Sequence, residues 1–106
     1  MGKNYLTIQS GKGKKAKGYL LDLSRTGIGI ASCEKITKNT LVEIIPRKSV
    51  LPPLKGRVMT IVDRHKKNYP YRLGVRFVLM SETAQQKITH FILKVEKRRK
   101  PRLKLR

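Results

Sequence analysis

Acidic residues are scarce in this chain of 106 residues: six Asp and Glu stand against 26 Lys and Arg, a formal net charge of +20. The six carboxylates are scattered singly, so no acid/base pair suggests itself and no enzyme activity is expected. The single cysteine, Cys33, excludes an intramolecular disulfide framework and a multi-cysteine zinc site. His65 and His90 have no metal-ligating companion at useful spacing, and Asp63 or a solvated turn accounts for His65. No apolar run approaches the ~18 residues of a membrane span. The N-terminus lacks the apolar stretch of a signal peptide, so a cytoplasmic domain is expected. The length supports one domain, burying roughly two-thirds of its unfolded surface. It is too short for a barrel enzyme. What the chain does have is positive charge, which implies an anionic partner such as nucleic acid, nucleotide or lipid surface.

The apolar residues, 39% of the chain, fall in patterned runs that favour a small folded core over disorder. Strand signals cover residues 5–8, 19–23, 28–31, 41–45 and 57–62. The clearest is a sixth, where Leu73, Val75, Phe77 and Leu79 alternate with Arg72, Gly74, Arg76 and Val78. Six short strands separated by turns predict a small antiparallel barrel or sandwich. Ile88, Phe91, Ile92 and Val95 recur at helical spacing behind Ser81, a candidate N-cap, and predict an amphipathic helix over 82–95 that covers one opening of the sheet. Residues 11–18, with three glycines and four lysines, read as a basic loop between strands. Residues 11–16 match the dinucleotide fingerprint G-x-G-x-x-A, but a strand follows, so no helix N-terminus is available to hold a pyrophosphate. The aromatic residues mostly fall on core-like positions, while Tyr69 and Tyr71 flank a turn at Pro70.

The informative stretch is Leu21-Asp22-Leu23-Ser24-Arg25-Thr26-Gly27-Ile28-Gly29-Ile30. Strand periodicity puts Tyr19, Leu21 and Leu23 on one face and Asp22 with Ser24 on the other, just ahead of a turn at Gly27. An outward carboxylate accepts two N–H bonds and a neighbouring hydroxyl donates or accepts, which suits the N–H edge of a guanine. The same two side chains also suit hydrogen bonds to the turn's own backbone.

Asp22-Leu23-Ser24-Arg25-Thr26-Gly27 resembles the D/N-x-S-x-x-G motif of PilZ domains, continued by Ile28-Gly29-Ile30. Leu73-Gly74-Val75-Arg76-Phe77 is similar to the family's late strand, and the helix after it also matches, so the likeness covers residues 5–95. The resemblance implies a mainly β protein: a six-stranded antiparallel PilZ barrel with one C-terminal amphipathic helix over residues 1–95, followed by a basic tail over 96–106. It also implies binding of the second messenger cyclic di-GMP on the outside of the barrel, with a protein partner receiving the signal. Messenger-binding members carry R-x-x-x-R ahead of the first strand, whereas no arginine precedes Tyr5 here.

The C-terminal tail carries that pattern instead, at Arg98/Arg102 and again at Arg102/Arg106. Set ahead of Met1, the tail would leave 25 residues between Arg102 and Asp22, inside the family's usual interval. It reads as the start of a second domain, as a segment serving the same site, or as a solvated basic extension. The expected site is Asp22 and Ser24 on a guanine edge, Gly27 letting the backbone turn close by, and Arg98, Arg99 and Arg102 on the phosphates. Two other readings stand beside this non-catalytic receptor: a PilZ-type interaction domain that binds no nucleotide, and a small basic barrel that binds nucleic acid.

Overall fold

A computed structural model describes residues 4–11, 13–47, 51–78 and 80–98, with the backbone alone for 95–98. The elements are β1 (Tyr5–Ser10), β2 (Lys15–Leu23), β3 (Gly27–Ser32), β4 (Leu41–Pro46), β5 (Leu54–Asp63), β6 (Tyr71–Phe77) and α1 (Glu82–Arg98). All strand pairs are antiparallel, and the order β1-β2-β3-β6-β5-β4 closes into a barrel when β4 pairs back onto β1. The expected mainly β barrel with one C-terminal helix is the observed one. Closure leaves no unpaired sheet edge, which suits a chain with so little apolar surface to spare.

Alternation along the strands fills the interior. Ile8, Ile30, Ile44, Leu54, Val58 and Leu73 are buried almost completely, each between outward neighbours that are partly or fully exposed or are small. Ile88 of α1 joins this core, and Phe91 and Ile92 pack against it, so the helix covers one end of the barrel. Ser81 caps the helix as expected: its Oγ accepts from the Ala84 N–H at 3.1 Å and its carbonyl from the Gln85 N–H at 3.0 Å. The helix runs three residues beyond the expected end, to Arg98. Lys and Arg are good helix formers and their charge complements the C-terminal dipole, so apolar spacing alone understates the helix.

Three other expectations are corrected. The basic loop is a hairpin but shorter than residues 11–18: the Ser10 N–H donates to the Lys14 carbonyl at 2.9 Å, Gly13 adopts φ 82°, and β2 begins at Lys15. Gly18 is therefore a strand residue, needed because a Cβ there would lie 2.6 Å from the Ala31 carbonyl oxygen. The β2 pattern also shifts. A bulge between Leu20 and Asp22 breaks the alternation, and the residues that pack inward are Leu20 and Leu23. Tyr19 instead lies beside its cross-strand partner Tyr5, and both rings contact Tyr69 at centroid distances of 5.2–6.4 Å. Finally, the last strand ends at Phe77, and Leu79 lies outside the described residues.

Candidate functional site

The turn joining β2 to β3 is built by Ser24. Its backbone N–H donates to the Gly27 carbonyl at 2.9 Å, while its Oγ accepts from the N–H groups of Thr26 and Gly27 at 3.3 and 3.2 Å. The serine hydroxyl is thus committed to the turn, the local role that such residues commonly take. The turn is anchored to β6, because the Phe77 N–H donates to the Thr26 carbonyl at 2.9 Å. Gly27 is fixed by the same proximity: a Cβ there would lie 2.6 Å from the Val75 carbonyl oxygen.

Asp22 does something different. Its carboxylate makes no bond to the turn; it reaches across β3 to β6 and accepts from Arg72 at 2.5 Å. Asp22 and Ser24 are therefore not an outward pair of free polar groups. The bulge before Asp22 re-aims the carboxylate over Gly29, filling the place where a side chain at 29 would begin.

The register explains why the surface is hollow here. Asp22 pairs with Gly29, Gly29 with Gly74 and Gly74 with Thr60, so one row crosses β2, β3, β6 and β5 with two glycines at its centre. This row spans three strand spacings, ~14 Å. A second bulge, between Val58 and Thr60, mirrors the first, and the Thr60 hydroxyl leans over Gly74 as Asp22 leans over Gly29. The result is a trough on the outside of the barrel, floored by Gly29 and Gly74 and walled by Asp22 and Thr60. Gly27 and Thr26 close it at the turn, and Arg72 and Arg76 flank it from β6. Arg72 is paired with Asp22, whereas Arg76 is exposed and its side chain has no hydrogen bond or ion pair among the described residues.

On its far side the same turn meets the helix. Arg25 and Thr26 line a groove with Gln85, Gln86, Thr89 and His90 of α1. Of the three tail residues expected at the site, Arg98 ends α1 with only its backbone described, and Arg99 and Arg102 lie outside the described residues. His65 behaves as expected: it is exposed, and its backbone N–H donates to Asp63 Oδ1 at 2.8 Å. Among the described residues no group of three or more His, Cys, Asp and Glu is placed to hold a metal, and no helix is long and apolar enough to cross a membrane.

A barrel of this strand order, carrying D-x-S-x-x-G at the β2–β3 turn, is matched by the family model described as "PilZ domain" over residues 4–94. The chain belongs to the PilZ domain family. Its fold is similar to that of Escherichia coli YcgR, solved in complex with c-di-GMP, at a TM-score of 0.69 and 16% identity, covering 91% of this chain and 42% of that one. The PilZ domain of the same protein with c-di-GMP gives a TM-score of 0.65 at 16% identity, covering 91% of this chain and 83% of that one. The PilZ domain of CeSA from a cellulose synthesizing bacterium gives 0.61 at 16% identity, covering 90% and 94%. At such identities the likeness is one of fold. No curated protein sequence matches the chain.

The residues that sequence reasoning missed are Gly29, Thr60, Gly74, Arg72 and Arg76 as members of one site. A signal for the last two was present: Arg72-Leu73-Gly74-Val75-Arg76 is itself an R-x-x-x-R. Read as strand alternation it is an ordinary polar face, and only the barrel's register sets both arginines on the trough that Asp22 walls.

Proposed function

We propose that this PilZ domain is a non-catalytic receptor for cyclic di-GMP. The observation that carries the proposal is the Asp22 carboxylate, 59% exposed in its side chain, held at the edge of an open glycine-floored trough beside the motif turn. A carboxylate in that position accepts the N1–H and N2–H of a guanine edge-on, a bidentate pairing of the stronger, charge-assisted kind. Ser24 acts one step back, holding the turn so that Gly27 can lie beside the ligand. Two proteins of similar fold solved with c-di-GMP support this choice of ligand.

The sequence also offers Arg98, Arg99 and Arg102 for the phosphates, and these remain a proposal to be tested by deletion of residues 97–106. Because the motif turn shares a groove with α1, occupancy of the trough can be passed to the helix and from there to a protein partner. Titration calorimetry with cyclic di-GMP tests the function. The expected outcome is micromolar or tighter binding, at least tenfold weaker in Asp22→Ala. No heat change at ~100 μM folded protein would overturn the receptor function and favour an interaction domain without nucleotide.

A further inference from the structure

We propose, taking cyclic di-GMP as the ligand, that Arg72 and Arg76 of β6 form the phosphate clamp of this site, so that no arginine segment outside the barrel is needed. They lie two positions to either side of Gly74, about 13 Å apart along the strand, so they flank the glycine floor from its two ends. Both line the trough that Asp22 walls. A guanidinium there can fork onto a phosphodiester or lie flat on a purine, which no lysine can do.

The arginines of β6 and those on and just after β5 are not equivalent. Arg57, directly opposite Arg76 on β5, turns away and donates to the Asn39 carbonyl at 3.1 Å. Arg64 is half-buried and donates to the Tyr69 carbonyl at 3.0 Å. Arg76 alone of these four is uncommitted among the described residues, and Arg72 is committed only to Asp22. That second arrangement implies an exchange. When a guanine edge takes the Asp22 carboxylate, Arg72 loses its partner inside the trough while a dianionic ligand arrives beside it. The released guanidinium then swings onto a phosphate. The ion pair is the resting state of the clamp, keeping both groups in place and neutralising the carboxylate until the ligand replaces it.

The test is calorimetric titration of the full chain with cyclic di-GMP, comparing Arg72→Gln, Arg76→Gln, Arg76→Lys, Arg57→Gln, Asp22→Asn and deletion of 97–106. Arg72→Gln and Arg76→Gln should each weaken binding at least tenfold, and Arg76→Lys at least fivefold because the charge alone is not sufficient. Arg57→Gln removes the same charge one strand away and should change affinity less than twofold. Should Arg72→Gln fail to fold, the Arg76 variants decide alone, since the Arg76 side chain makes no hydrogen bond or ion pair among the described residues. Wild-type-like binding by both arginine variants, with loss on deletion of 97–106, would overturn the clamp in favour of the tail while leaving the receptor function standing. Equal losses in Arg57→Gln and Arg76→Gln would reduce the effect to general attraction and overturn it too. Absence of binding by the unmutated chain would remove the receptor function and the clamp together.

Discussion

Gly29→Ala separates the site from the scaffold more sharply than any change to a charged residue. A Cβ at position 29 would lie 2.7 and 2.9 Å from the two carboxylate oxygens of Asp22, well inside contact distance. The obstacle is the far end of an exposed side chain, so the carboxylate can swing into water. Losing its ion pair costs about 0–1 kcal/mol, as for other exposed pairs. Gly29 is not among the residues with positive φ, so restricting the unfolded chain returns about 0.4–1 kcal/mol. The two nearly cancel, and the melting temperature should move by no more than ~4–8 °C, the equivalent of 1 kcal/mol in a domain of this size. Binding should respond very differently. A charge-assisted bond is worth ~1.5–3 kcal/mol, so moving the carboxylate should weaken cyclic di-GMP at least tenfold, ~1.4 kcal/mol.

Gly27→Ala is the contrast, because its Cβ would meet the Val75 carbonyl oxygen at 2.6 Å, a backbone atom that cannot swing aside. That overpacking should cost ~1–3 kcal/mol. Denaturant unfolding of both variants, with Gly29→Ala repeated in an Asp22→Ala background where its Cβ has room, completes the measurement. The double variant should be as stable as Asp22→Ala or slightly more so. If Gly29→Ala binds at wild-type affinity, the carboxylate does not hold the ligand from where it sits. If it destabilises the fold as much as Gly27→Ala, Asp22 is not what yields.

Ile30→Ala, at a fully buried position on β3, should cost about 2–5 kcal/mol in urea unfolding, a large part of a small domain's stability. A result under 1 kcal/mol would mean the barrel interior collapses around the loss. Affinity for cyclic di-GMP should fall with salt at a log–log slope no steeper than about −2, since the ligand offers two phosphates. Duplex DNA making six to ten phosphate contacts would give a slope several times larger. Steep binding to an oligonucleotide near physiological salt, with none to cyclic di-GMP, would assign the +20 charge to nucleic acid. Replacement of Ser24 by Ala should weaken cyclic di-GMP less than Asp22→Ala does, because it loosens two turn N–H bonds without removing a ligand group. Calorimetry on the two variants orders them, and a larger loss for Ser24→Ala would make the hydroxyl a direct contact.

The sequence by itself determined the elements. Period-two alternation in Leu73, Val75 and Phe77, helical spacing in Ile88, Phe91 and Ile92, and the Ser81 cap are local patterns, and each produced the element it predicts. The D-x-S-x-x-G motif likewise marked the β2–β3 turn, since Ser24 and Gly27 act on their own backbone neighbourhood. Tertiary structure decided where the same patterns break and what lies across from them. Two bulges, at Leu20/Asp22 and Val58/Thr60, reset the faces of β2 and β5, turning Tyr19 outward and laying Asp22 over Gly29. Arg72 meets Asp22 from 50 positions along the chain, through a pairing of β2, β3 and β6 that exists only once the barrel closes. Gly18, Gly27 and Gly29 look alike in sequence, yet the first two are held by neighbouring carbonyl oxygens and the third by the Asp22 carboxylate. Alternation and capping depend on residues a few positions apart, so they are written along the chain. Register and bulge placement depend on how six strands share one closed perimeter, and no local pattern encodes that.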